Sequence, residues 1–302
     1  MYEFRYKSLF YFHETSHVVI NLKNKCGPHD YKNFIVMPGR DLYGFTLEIA
    51  EDRPGILAEI SSILREHDIS ILYVYGTYME EDSSRIVTMV DMTGKDVDLE
   101  ELTSAFKGIK GIGHIEVIEP VTKGFIFDKT SFPLTVMGER VVFLRKSAFK
   151  ELISGLVESM GHQATSGLLY QIGVRMGRGL AKKHKEIAKD LGIEDPIEVL
   201  KKISGSLFQS LGFGKAEVID REGDSIRVRK YNCIECEAIA EIIEEGHGTI
   251  KKGSLRCGLI RGIMDGVVSE VMGKGYASTE EKCTAIGDEY CELVFRPSKG
   301  GR

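Results

Sequence analysis

Five of the six cysteines fall between residues 233 and 291; the sixth is Cys26. In a reducing compartment, clustering of this kind reads as metal ligation before disulfide bonding. Within the cluster, Cys257, Glu280, Cys283 and Cys291 are separated by 22, 2 and 7 residues. Three thiolates and one carboxylate suit a tetrahedral Zn²⁺ site. With all four positions filled by protein no water is activated, so the expected zinc is structural rather than catalytic. Glu281 is the competing choice for the carboxylate. The site carries net negative charge and needs N–H donors, for which hairpin amides, a helix N-terminus, Arg256 and Lys282 are candidates.

The elements that must position these ligands follow. With Ser254 as N-cap, Cys257 lies in the first turn of a helix, whose dipole favours the thiolate. Cys283 and Cys291 lie on two strands of one hairpin. A two-residue Gly287-Asp288 turn would pair Cys291 with Thr284 and put the two thiols on opposite faces. The expectation is therefore an odd loop, Ile286-Gly287-Asp288, or a bulge, so that Cys283 faces Cys291. Glu280 then sits at the strand entry, three residues before Cys283. Cys233 and Cys236 form a C-x-x-C pair that follows a strand and opens a short helix. A second metal, redox exchange, an iron–sulfur ligand role and plain buried thiols all remain open for it. His247, in a Gly-bracketed loop, reads as solvated.

The whole chain sets the frame. At 302 residues it is long enough for two domains. An apolar fraction of 42% with 28% charged residues excludes disorder, collagen and coiled coil as whole-chain readings. No apolar run is long enough for a transmembrane helix. A net charge of −5 and a pI near 6.0 argue against a general nucleic-acid binder. The first residues lack the pattern of a secretory signal, which places the protein in the cytoplasm. No nucleophile–base pair, dinucleotide fingerprint, phosphate loop or helix-turn-helix is evident.

Residues 1–42 show no periodicity and read as an irregular extension. Residues 43–120 read βαββαβ. A strand over YGFTLEIAE is followed by a helix with Asp52 as N-cap and Pro54 at its first position. Two split βαβ units of this kind make a ferredoxin-like sandwich. Around Asp52, Pro54, Gly55 and Leu57, with Ser70-Ile71 beyond, the segment resembles the ACT domain, a regulatory module. The resemblance implies an amino-acid site at Asp52, Pro54, Gly55 and Ser70, between this loop and a neighbouring subunit, or a module that only dimerises. A homodimer is expected in either case.

Residues 128–296 read as a second α+β domain. A helix with Ser147 as N-cap precedes a longer one bearing Gly167, Gly173 and Gly177. Each glycine costs about 1 kcal/mol against Ala, a cost that close packing on another backbone would offset. Pro196 opens a third helix, a hairpin surrounds REGD, and Gly258, Gly262 and Gly266 give a smooth helix face for tight packing, within the chain or across a dimer. Together with the cysteine spacing, this segment resembles the 4-vinyl reductase-like domain, whose fold is related to the vesicle-tethering TRAPP subunits. The resemblance implies zinc on Cys257, Glu280, Cys283 and Cys291, beside a hydrophobic cavity that holds a small molecule. Phe143, Phe149, Tyr170, Phe208 and Tyr231 are the candidate lining. The expected function is a non-catalytic regulatory sensor whose output passes to a separate protein. The alternatives are an enzyme or accessory in tetrapyrrole vinyl reduction, and an acyl-chain-binding scaffold.

Overall fold

The structure is a computed structural model that describes residues 30–31, 33–78, 84–245 and 256–298. It is α+β, and the described residues divide into two compact units, one up to residue 142 and one from 143 on.

In the first unit, β2 (Leu42–Ile49), α1 (Ile56–Glu66), β3 (Ser70–Tyr78), β4 (Ser84–Asp91), α2 (Leu99–Lys107) and β5 (Ile112–Ile118) follow the expected order. The antiparallel sheet runs β3-β4-β2-β5. Ile56, Ile60 and Leu64 recur every fourth residue on α1 and are buried with Phe45, Leu47 and Ile49 of β2. The rings of Phe45 and Phe106 meet edge-on with centroids 5.1 Å apart. Helix α2 is capped by Asp98, whose carboxylate accepts from Glu100 N at 3.2 Å. Helix α1 is not capped by Asp52. It starts at Ile56, after Pro54-Gly55 has turned the chain through a left-handed Gly55 (φ 102), a conformation that costs glycine little.

The sheet face opposite the helices is covered too. Within the stretch read as irregular, β1 (Phe34–Val36) pairs antiparallel with β6 (Phe125–Phe127). Ile126 and Ile35 pack with Leu42, Val87, Met89 and Ile118. The rest of the expected extension, residues 1–29 and 32, lies outside the described residues. Asp128 anchors the chain beyond β6. Its carboxylate accepts from the Tyr75 hydroxyl, from Thr130 N at 2.8 Å and from Thr130 Oγ1 at 2.7 Å. Thr130 Oγ1 also meets Thr46 Oγ1 at 2.8 Å. These bonds, and the small hairpin of β7 (Thr135–Val136) and β8 (Glu139–Arg140), keep residues 128–142 in the first unit.

In the second unit, α3 (Lys146–Asp190) combines the two expected helices, broken where Gly161 leaves helical geometry (φ 76, ψ 162). Its N-cap is Arg145 rather than Ser147. Pro196 opens α4 (Pro196–Glu198), with Asp195 accepting from Ile197 N at 3.0 Å. A π-helical turn, Val199–Ser204, then leads into α5 (Gly205–Ser210). Strands β9 (Lys215–Glu222), β10 (Ser225–Tyr231), β11 (Tyr276–Lys282) and β12 (Cys291–Pro297) form an antiparallel sheet in the order β11-β12-β10-β9. Helices α6 (Ile234–Glu244) and α7 (Leu259–Met272) complete the unit.

Glycines let α3 and α7 touch backbone to backbone. A Cβ on Gly177 would stand 2.0 Å from the Ile263 carbonyl oxygen, and one on Gly262 2.2 Å from that of Tyr170. Gly173 and Gly266 are as tightly faced, by Leu259 and Val174. The smooth face of Gly258, Gly262 and Gly266 is therefore used inside one chain and not across a dimer. Gly167 has open space instead. Among the described residues no helix is long and apolar enough to cross a membrane.

Candidate functional site

All five C-terminal cysteines meet at one buried point of the second unit, each at most 1% exposed. Cys233 is the N-cap of α6 and Cys236 lies in its first turn. Cys257 stands two residues before α7, so it precedes the helix rather than lying in its first turn, and Ser254 is outside the described residues. Two groups have all their sulfurs within 4.8 Å of one another: Cys233, Cys236 and Cys257, and Cys236, Cys283 and Cys291. Cys236 belongs to both. Its sulfur is 3.8 Å from that of Cys283 and 3.6 Å from that of Cys291, and Cys233 and Cys257 are 3.7 Å apart. These clusters could hold a metal ion. The four residues expected as ligands do not form one compact group: Cys257 falls in the first, Cys283 and Cys291 in the second, and Glu280 in neither.

The hairpin explains how Glu280 and Cys283 come to share a side. Three residues apart on a regular strand, they would face opposite ways. Glu280 pairs with Leu293 and Lys282 with Glu292, so Glu281 bulges out and restores a common side. The ladder stops at Lys282 and Glu292, leaving Cys283 and Cys291 at the mouth of a loop containing a 3-10 turn, Thr284–Ile286, and left-handed Gly287. The loop is odd, as expected, but it is longer than Ile286-Gly287-Asp288. The Glu281 side chain turns away to pair with Arg227 at 2.8 Å.

Both carboxylate oxygens of Glu280 are buried without a hydrogen-bond partner. Burial, and next the charge of Cys291, push its pKa up to about 7. The charge of Lys230 works the other way and favours the carboxylate, whose open oxygens fit a metal-binding donor. Hydrogen bonds from Cys236 and Cys283 hold Cys291 down at about 2, while burial pushes the Cys257 thiol well up.

Two charged residues escaped the sequence reading. Lys230 is fully buried, directly opposite Cys291 on the neighbouring strand, with Nζ 3.2 Å from Cys257 Sγ. Burial works against its ammonium, but the charges of Cys233 and Cys257 outweigh it and its pKa lies well above the ordinary value. The signal was present: Ile226, Val228 and Lys230 alternate on the buried side of β10. Glu235, inside the C-x-x-C, accepts from Gly258 N, Leu259 N and Ile260 N at 2.8–2.9 Å and from Cys257 Sγ at 2.9 Å. It occupies the N-terminus of α7, which therefore does not serve the thiolates. Of the expected donors, a hairpin amide does serve, Thr284 N donating to Cys291 Sγ at 3.3 Å. Arg256 reaches the Glu280 backbone oxygen, and Lys282 the Tyr290 hydroxyl.

A separate apolar cavity of about 50 Å³ lies between α3, the π-turn, α5, the sheet and α7. Phe208, Phe213, Val228, Ile263 and Val267 are among its walls. Its polar feature is His184, whose Nδ1 is 3.0 Å from Ser204 Oγ. Burial lowers the His184 pKa, so the ring is neutral. Of the five aromatics expected here, Phe208 alone lines the cavity. Phe143 is 59% exposed, Phe149 is core, Tyr170 donates to Asp265 at 2.6 Å, and Tyr231 stacks near Tyr290. Helical and strand phase, not aromatic character, decided which side chains face inward.

In the first unit, Asp52, Pro54, Gly55 and Ser70 are all exposed. Arg53 is tied to Glu59 by bonds of 2.7 and 2.9 Å and to the Lys110 carbonyl. Ser70 pairs with Asp91, which pairs with Leu42, whereas the Asp52–Gly55 loop leaves the other end of β2 after Ile49. Seven strand residues place these ends about 23 Å apart. One copy therefore does not bring Ser70 to the loop.

Fold and site together define a protein of two α+β modules, the second carrying a buried cluster of cysteines. In particular, residues 45–107 match the ACT domain, and residues 122–224 match the family described as activator of aromatic catabolism. A protein of Methanocaldococcus jannaschii is 24% identical over 129 residues, 43% of this chain and 63% of that relative, so the match spans less than two thirds of the relative's length. Among solved structures, the phenol-responsive sensory domain of the transcription activator PoxR, with phenol, aligns at 16% identity. The alignment covers 57% of this chain and 83% of that one, with a TM-score of 0.48. A vinyl-4-reductase family protein of M. jannaschii aligns at 16% identity over 54% of this chain and 85% of its own, with a TM-score of 0.32.

Proposed function

We propose that the chain is a non-catalytic, cytoplasmic sensor whose second module binds a small apolar molecule. The observation that carries this reading is the apolar cavity with one polar pair, His184 and Ser204. An apolar ligand gains by leaving water, and the pair gives it one orienting hydrogen bond. A cavity of about 50 Å³ suits a group of a few heavy atoms and not a tetrapyrrole or a long acyl chain. The π-turn that carries Ser204 is the kind of helix irregularity that recurs at functional sites. Ligand would act on a partner protein or on the state of a homodimer through its differential affinity for two conformations. The test is titration with phenol, benzene and short alcohols, read by thermal shift. We expect saturable stabilisation by at least one, abolished by filling the cavity with Ala216→Leu. Stabilisation by none, or stabilisation that the filled variant keeps, refutes the reading.

The metal that fits the second module is a structural Zn²⁺ on Cys257, Glu280, Cys283 and Cys291. Soft thiolates and the unpartnered Glu280 carboxylate support it. Bound zinc would neutralise the thiolates and tie the start of α7 to the β11–β12 hairpin. Elemental analysis and the fall in melting midpoint on chelation test it. For the first module the proposal is a site completed by a second copy, one supplying Asp52, Pro54 and Gly55 and the other Ser70. Amino-acid titration and analytical ultracentrifugation separate ligand binding from dimerisation alone.

A further inference from the structure

The C-x-x-C pair is not needed for a single four-ligand ion, yet it is folded into the same cluster. We propose that Cys233 and Cys236 make this a two-ion centre, with one soft divalent ion held by Cys233, Cys236 and Cys257, a second by Cys236, Cys283, Cys291 and Glu280, and the Cys236 thiolate bridging them. This rests on metal binding by the same cluster and reassigns Cys257 from the four-ligand site to the first ion.

Three observations carry the inference. The first is spacing. Thiolates at about 2.3 Å from a tetrahedral zinc lie about 3.8 Å from one another. The sulfur separations from Cys236 to Cys283 and Cys291, and from Cys233 to Cys257, are 3.6 to 3.8 Å. A disulfide needs about 2.05 Å. An iron–sulfur cluster inserts its own sulfides and spreads its cysteines wider than this packing allows. The second is connectivity. Two three-sulfur groups exist and share one member, Cys236, which is what a bridging thiolate requires. The third is charge. Five thiolates would carry five negative charges in a fully buried volume, beside the Glu280 carboxylate and a Glu235 carboxylate already held by backbone N–H groups. Two divalent ions and the buried Lys230 ammonium supply five positive ones. One ion would leave buried thiols without a charge partner, at the cost that burial imposes on unpaired polar groups.

The two ions are not equivalent. The second has three sulfurs and a carboxylate. The first has three sulfurs, and among the described residues no further Cys, His, Asp or Glu joins that compact group. Its open position makes it the more easily exchanged ion.

The experiment is metal and acid-labile sulfide analysis of the purified full chain loaded with zinc alone, beside the Cys233→Ser variant. Two zinc ions per wild-type chain and a twofold fall in the variant, with near-UV circular dichroism retained, support the proposal. Cobalt titration of the wild type adds a readout independent of the variant's folding. Paramagnetic signal that rises to one equivalent and collapses toward two reports a bridging sulfur, whereas a signal that simply doubles overturns the bridge. One zinc in both proteins overturns the proposal but leaves the four-ligand reading intact. No metal overturns both. Iron with matching sulfide replaces both with a cluster.

Discussion

The two units use the same materials, an antiparallel sheet with helices, and close their interiors differently. In the first, the helix-side core is apolar throughout, centred on Phe45, Phe106, Ile60 and Leu102. In the second, apolar packing of α3 on α7 gives way at one end to five thiols, Lys230, Glu235 and Glu280. An apolar core is complete when the chain folds. A core that buries this much ionisable chemistry is complete only with its counter-charges in place. The first unit therefore reads as a self-sufficient platform, and the second as one that a metal ion could stabilise.

That contrast can be broken or sharpened. The largest effect is expected from Gly177→Val. With a Cβ placed 2.0 Å from the Ile263 carbonyl, α3 and α7 must part, at a cost of about 4–5 kcal/mol or more. Thermal denaturation should show the second unit's transition lost and the first unit's kept, and simultaneous loss of both would end the idea of independent units. Gly167→Ala is the control; with open space around it, it should gain up to about 1 kcal/mol. In the first unit, Phe106→Ala should cost about 3–5 kcal/mol, equally with and without chelator. A chelator-dependent cost there would erase the difference between the units.

Lys230→Met removes a charge that balances the thiolates, and should weaken zinc affinity on the order of 10–100-fold in competition with a chromophoric chelator. Unchanged affinity would reduce Lys230 to a packing residue. The smallest effect is expected at His184. Its pKa in the folded chain lies below the ordinary 6.5 because burial disfavours the charged ring. Below pH 6.5 the unfolded chain takes up a proton that the folded chain refuses, so this contribution is whole above 6.5 and declines as pH falls toward the folded pKa. The melting midpoint should drop on acidification less steeply in His184→Gln than in wild type. Parallel slopes would show that acid acts elsewhere.

A second difference concerns the modules in sequence. The sensory family's match begins at residue 122, whereas the compact second unit begins at 143. The intervening segment, with Ile126 and Asp128, is built onto the first unit's sheet. The boundary read from sequence, residue 128, lies between the start of that match and the start of the compact unit. Nothing local announces that a Phe-Ile-Phe strand will find Phe34–Val36 across the chain.

The sequence by itself determined the elements and the concentration of thiols in one segment. Apolar residues at 56, 60 and 64, β-branched strands and the 22, 2 and 7 spacing are local patterns, and periodicity and ligand type are properties of the chain. Odd hairpin parity was legible for the same reason. Only the tertiary structure decided that Gly177 faces Ile263 rather than a second molecule and that Phe208 lines the cavity while Phe143 does not. It also brought Cys236 into both cysteine groups, with Lys230 opposite Cys291. Each of these depends on two elements meeting at a given angle and register, and that meeting is fixed by packing over distances no local pattern encodes.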